Sequence, residues 1–117
     1  MNFEDSMQQL MEECPGARGA AIVDPDGIPV AVTPREDSLE ALGAELATIL
    51  RDLAEAAREF QHGRLNQCSV FAEDATIVLT TIAAGYFLVL VLGRDGPAGK
   101  GRFLSRVARE RLYSEFI

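Results

Sequence analysis

The chain has 117 residues, 48% hydrophobic and 25% charged, an ordinary composition for one globular domain, which at this length buries roughly 65% of its extended-chain surface. Eleven basic against 18 acidic residues give a net charge of −7, which argues against nucleic-acid binding, because neutralising phosphates needs a basic face. The longest apolar run, around residues 85–92, is far below the ~20 residues that span a bilayer, and the acidic start NFEDSMQQL does not read as a signal peptide, so a cytoplasmic location without membrane insertion is expected.

The charge is uneven: residues 1–62 carry 13 acidic and 4 basic groups (net −9), and residues 63–117 carry 5 and 7 (net +2). The two cysteines, Cys14 and Cys68, stand 54 positions apart with a single histidine, His62, and no CxxC or HxxxH spacing. A metal cage therefore lacks clustered ligands, no metal or cofactor is expected, and both cysteines read as small buried apolar residues in a reducing compartment.

The first element is an amphipathic helix over residues 1–14, with Phe3, Met7, Leu10, Met11 and Cys14 at helical spacing and acidic or amide residues around the rest of the cylinder. Pro15-Gly16 ends it. Ala20 to Val23 then forms an apolar strand, and Asp24-Pro25-Asp26-Gly27 supplies a turn: Pro25 presets φ, Asp26 bonds its own backbone, and Gly27 tolerates φ > 0. In the strand that follows, Ile28, Val30 and Val32 alternate with Pro29 and Ala31. A proline that cannot donate to a ladder places this strand at a sheet edge.

After Thr33-Pro34-Arg35-Glu36, Asp37 as N-cap with Glu40 three residues on resembles a capping box, opening a long helix that runs to about Gln61 and stops at His62-Gly63. This helix carries two neighbouring stripes. Leu39, Leu42, Leu46, Ile49, Leu53, Ala56 and Phe60 are mostly bulky; Gly43, Ala47, Leu50, Ala54 and Ala57 are mostly small. Either the two form one wide core face, or the bulky stripe packs on this chain's own sheet while the small one admits a partner's helix. The second is the sharper expectation.

Three strands follow, over residues 65–73, 76–83 and 85–93, with connections so short that they impose an antiparallel meander. In the third, Phe87, Val89 and Val91 point one way and Tyr86, Leu88, Leu90 and Leu92 the other, so both faces need cover and the strand is central. The first, interrupted by Asn66, Gln67 and Ser69, suits an edge. A last helix from about Gly99 turns Phe103, Leu104, Val107, Ala108 and Leu112 inward and Lys100, Arg102, Arg106, Arg109 and Arg111 largely outward. Glu12 and Glu13 of the first helix are expected to neutralise that arginine stripe.

Among candidate chemical motifs, residues 96–101 (GPAGKG) fail the phosphate-loop pattern, with Arg94 where glycine is needed and Gly101 where serine or threonine is needed. Asp24 and Asp26 belong to their turn, His62 suits a helix C-terminus, and no strained nucleophile turn is present. No catalytic residue is assigned.

The hairpin GARGAAIVDPDGIPVAV, the long helix with small residues, and the end YFLVLVLGRDGPAGKGRFLSR together resemble the Roadblock family, which includes Roadblock-type dynein light chains, scaffold subunits of the Ragulator complex and the bacterial gliding-motility protein MglB. Gly16, Gly19, Asp24, Asp26 and Gly27 fit its GxxGxxxxDxDG pattern. The resemblance spans nearly all of residues 1–117 and implies a single α+β domain of order α-β-β-α-β-β-β-α. It further implies a profilin/longin-like five-stranded antiparallel sheet of order 2-1-5-4-3, with the first and last helices on one face and the middle helix on the other.

It also implies a homodimer joined through the edge strand (Cys68, Val70, Phe71) and the small stripe (Gly43, Ala47, Leu50, Ala54, Ala57). The implied function is a non-catalytic regulator of a Ras-like small GTPase, GTPase-activating as in MglB-type members, contacted through Arg51, Glu55, Arg58 and Glu59. The alternative is a scaffold dimer without effect on nucleotide hydrolysis.

Overall fold

The computed structural model of the protein describes residues 2–116. Helix α1 (Phe3–Glu13) is capped by Asn2, whose Oδ1 accepts from the Asp5 N–H at 2.8 Å. Strands β1 (Ala17–Val23) and β2 (Pro29–Thr33) form the hairpin, and its turn is held by Asp24, whose Oδ1 accepts from the N–H groups of Asp26 and Ile28, both at 2.9 Å. Helix α2 (Asp37–Glu59), strands β3 (Gln67–Phe71), β4 (Ala75–Thr81) and β5 (Phe87–Gly93), helix α3 (Ala98–Tyr113) and a short 3-10 turn (Ser114–Phe116) complete the chain.

The five strands form one antiparallel sheet of order β2-β1-β5-β4-β3, so β2 with Pro29 and the poorly covered β3 are its two edges, as expected. Central β5 sorts its residues between two cores. Leu88, Leu90 and Leu92 join Met7 and Leu10 of α1 and Ala108 and Leu112 of α3. Phe87 and Val89 join Leu46, Ala47 and Leu50 of α2. Each side chain named is at least nine-tenths buried, which accounts for the doubly apolar pattern of β5.

Several local expectations need correction. The N-cap of α2 is Glu36, not Asp37, and its side chain makes no capping bond; its carbonyl instead accepts from the N–H groups of Leu39 (3.1 Å) and Glu40 (3.2 Å). The capping box is therefore absent. The helix ends at Glu59, and the left-handed reversal falls first on Gln61 (φ 65°), with the His62 N–H closing on the Ala57 carbonyl at 2.8 Å. Strand β3 is shorter than its apolar run, covering 67–71 instead of 65–73. Phe103 is not inward: it is 55% exposed, while Gly101 and Ser105 take the sheet-facing positions.

Two arginines of the α3 stripe, Arg106 and Arg109, find partners outside α1. Arg109 Nε donates to the Thr81 carbonyl at 2.8 Å, and Arg106 Nη1 to Gln67 Oε1 at 3.2 Å; Glu12 and Glu13 accept from Gln8 and Gln9. Gly101 explains why the glycine-rich loop departs from a phosphate motif, since a Cβ there would lie 2.8 Å from Leu92 Cδ1. The glycine lets α3 lie on the sheet.

Candidate interaction surface on the second helix

Helix α2 lies along β1 and β2. Its closest approach is at Gly43, where a Cβ would come within 2.9 Å of Val23 Cγ2, and at Ala44 and Ala47, which sit beside the hairpin turn at Gly27. Small residues are needed where a helix comes this near a sheet. The small stripe therefore faces inward: Gly43, Ala47 and Leu50 are buried and Ala54 and Ala57 half-buried against this chain's own fold. In the first half of α2 the two stripes form one wide core face, with Leu39 and Leu46 of the bulky stripe buried beside Gly43, Ala47 and Leu50, which have little surface to offer a partner; in the second half the small stripe faces the fold and the bulky one turns outward.

From Ile49 onward the bulky stripe is exposed, although its Leu39 and Leu46 are buried. Ile49 is 51% exposed, Leu53 44% and Phe60 69%. At 100° per residue these three fall on one line along the helix, with exposed Ala56 between them and half-buried Leu42 one step before. Reading by size missed this, because it assigned the larger side chains to the core. The glycine in mid-helix was the signal: Gly43 marks the line of closest approach to the sheet, and the bulky stripe is displaced from it.

At the far edge of the sheet, β3 pairs only with β4, leaving its other row of backbone N–H and C=O groups open. Cys68 and Val70 lie opposite Leu79 and Ile77, which share the α2 face of the sheet with Val89 and Val91. Phe71, opposite Thr76, alternates to the α1/α3 face and is 68% exposed. Thus Cys68 and Val70 lie on the sheet face that α2 covers, and Phe71 does not. Burial pushes the thiols of both Cys68 and Cys14 above their ordinary 9.0; at Cys14 the charge of Lys100 offsets part of the rise.

Arg51, Glu55, Arg58 and Glu59 are all exposed on α2. Arg51 is anchored, with Nη2 donating to the Pro25 carbonyl at 2.7 Å. Arg51 and Arg58 line a groove beside the β4–β5 turn, whereas Glu55 and Glu59 do not. Among the described residues no group of histidine, cysteine, aspartate and glutamate is arranged to hold a metal ion, and no helix is long and apolar enough to cross a membrane.

Comparison with solved structures returns the same architecture. A Roadblock/LC7 domain from Streptomyces avermitilis superposes with a TM-score of 0.85 at 18% identity, covering 95% of this chain and 94% of that one. An MglB solved in a tetrameric arrangement gives 0.83 at 22% identity, covering 94% and 84%. MglC from Myxococcus xanthus gives 0.70 at 30% identity, covering 98% and 99%. Comparison with curated protein sequences finds no match. Residues 4–92 match the family described as the Roadblock/LC7 domain, and the chain belongs to that family.

Proposed function

We propose that the protein is a non-catalytic, homodimeric regulator that binds a Ras-like small GTPase and accelerates its GTP hydrolysis. The regulator reading rests on membership in the Roadblock/LC7 family and the likeness to MglB, and the observation that carries the dimer is the unpartnered apolar line Ile49, Leu53 and Phe60 along α2, on a molecule whose β3 edge is also open. Pairing two copies through both features covers the apolar side chains and removes the unpaired strand edge. The tetrameric MglB, a protein of the same fold, is described as an assembly.

In this dimer the interface residues are Ile49, Leu53 and Phe60 with Cys68 and Val70, and the GTPase docks against the polar residues of the paired helices, Arg51, Glu55, Arg58 and Glu59. Activation would come from holding the switch segments of the GTPase in a hydrolysis-ready arrangement. The test is to purify the protein with a Ras-like GTPase from the same cell and time GTP hydrolysis. Co-elution with a faster rate supports the reading; a stable complex with an unchanged rate leaves a scaffold dimer, and no complex overturns GTPase binding.

A further inference from the structure

The groove between the C-terminal half of α2 and the β4–β5 turn has a volume of about 390 Å³, within the ~300–1,000 Å³ typical of small-molecule sites. Three arginines line it, Arg51, Arg58 and Arg64, and the floor includes Leu50, Leu65 and Ile82. The chain carries 18 carboxylate side chains and a net charge of −7, yet none of its aspartates or glutamates lines this groove. Among the described residues the side chains of Arg58 and Arg64 donate to no protein acceptor, and the one ion pair, Arg109–Glu110, lies elsewhere. Arg51 spends one donor on Pro25, and a guanidinium has five.

The rim is a tight turn. In the Ala84–Gly85 turn, Ala84 and Gly85 hold left-handed φ values of 54° and 84°, and the Tyr86 N–H closes the turn on the Ala83 carbonyl at 2.9 Å, as in a two-residue hairpin. The turn cannot shift freely toward the hairpin, since a Cβ on Gly85 would meet Pro25 Cγ at 2.8 Å, and Pro25 is the residue that Arg51 holds.

We propose that this groove binds a small organic anion, a carboxylate or phosphate monoester on an apolar body. The acidic head pairs with Arg58 and Arg64, and the body lies over Leu50, Leu65 and Ile82. Unpaired guanidiniums attract an oxyanion and the apolar floor rejects a fully hydrated inorganic ion, so both halves of the ligand are specified. The site is built within one protomer and shares Arg51 and Arg58 with the surface proposed for the GTPase, but anion binding by the isolated protein is read without that partner.

Titration calorimetry with octanoate and with octyl phosphate tests it, using octylamine and 1-octanol as matched probes with cationic and uncharged heads. One-to-one saturation is expected for at least one of the two anions, the tighter of them naming the head group, with 1-octanol and octylamine at least about tenfold weaker. The double variant Arg58→Ala/Arg64→Ala should weaken anion binding by about tenfold or more while leaving the far-UV circular dichroism and melting temperature unchanged, because both side chains are exposed and unpartnered. Chemical-shift changes in labelled protein should centre on Ala84 and Gly85. Absence of saturation by either anion up to roughly 5 mM, or equal binding of octanol or octylamine, or full retention in the double variant, overturns the proposal.

Discussion

Arg51 in the middle of α2 donates a 2.7 Å hydrogen bond to the backbone carbonyl of Pro25, 26 residues earlier, and so ties the helix to the turn between β1 and β2. Replacing Arg51 by alanine removes a charge-assisted bond at an exposed site, worth about 1 kcal/mol. The melting temperature should fall by about 4 °C, and amide hydrogen exchange should quicken at Asp26 and Gly27, the turn residues next to Pro25. Unchanged exchange there would show that the turn holds itself through Asp24 alone.

The close approach of Gly43 to Val23 makes size the constraint at this position. Gly43→Leu should destabilise the fold by about 1–3 kcal/mol through overpacking, readable as a lower denaturant midpoint at unchanged slope. Ile49→Ala, six residues on but half-exposed, should cost the isolated protomer less than about 0.5 kcal/mol. Equal costs at the two positions would mean that α2 is rotated from the orientation described.

Cys14 is 3% exposed, and burial raises its thiol pKa above 9.0. A raised folded-state value means that the native protein disfavours the thiolate, so this contribution to stability is complete below pH about 9 and is lost as pH climbs through the folded value. The difference in melting temperature between wild type and Cys14→Ala should therefore be constant from pH 7 to pH 8.5 and shrink above pH 9, by fluorimetry in matched buffers. A difference that stays flat to pH 10.5 would place the Cys14 thiolate in water.

The fold was legible in the sequence because period-2 alternation in β5 and Pro29 in β2 each point to one position in the sheet, centre and edge. Capping was less legible: Asp37 and Glu40 fit a capping box by spacing, but the first turn closes on the carbonyl of Glu36, one residue earlier. On α2 the two apolar stripes were visible and their division was not, since Leu39 and Leu46 of the bulky stripe join the small one in the core and only Ile49 and the stripe residues after it turn outward. The arginine groove joins Arg51, Arg58 and Arg64 to the Ala84–Gly85 turn beyond two intervening strands, a juxtaposition created by tertiary packing.

The edge strand offers a second handle on association. Val70→Lys places a charge at a 40% exposed position of β3 and should weaken self-association about tenfold or more by sedimentation equilibrium, with little change in protomer stability. An unaffected association constant would remove β3 from the interface.

The most direct measurement is the solution mass of wild type and of Leu53→Glu by light scattering. Leu53 is 44% exposed, so the glutamate is tolerated by the protomer, unlike one at Leu50, which is 6% exposed. Wild type should run at twice the 12.7 kDa chain mass and Leu53→Glu, still folded by circular dichroism, at 12.7 kDa. A monomeric wild type, or a dimer that survives Leu53→Glu, would contradict association through the exposed line of α2.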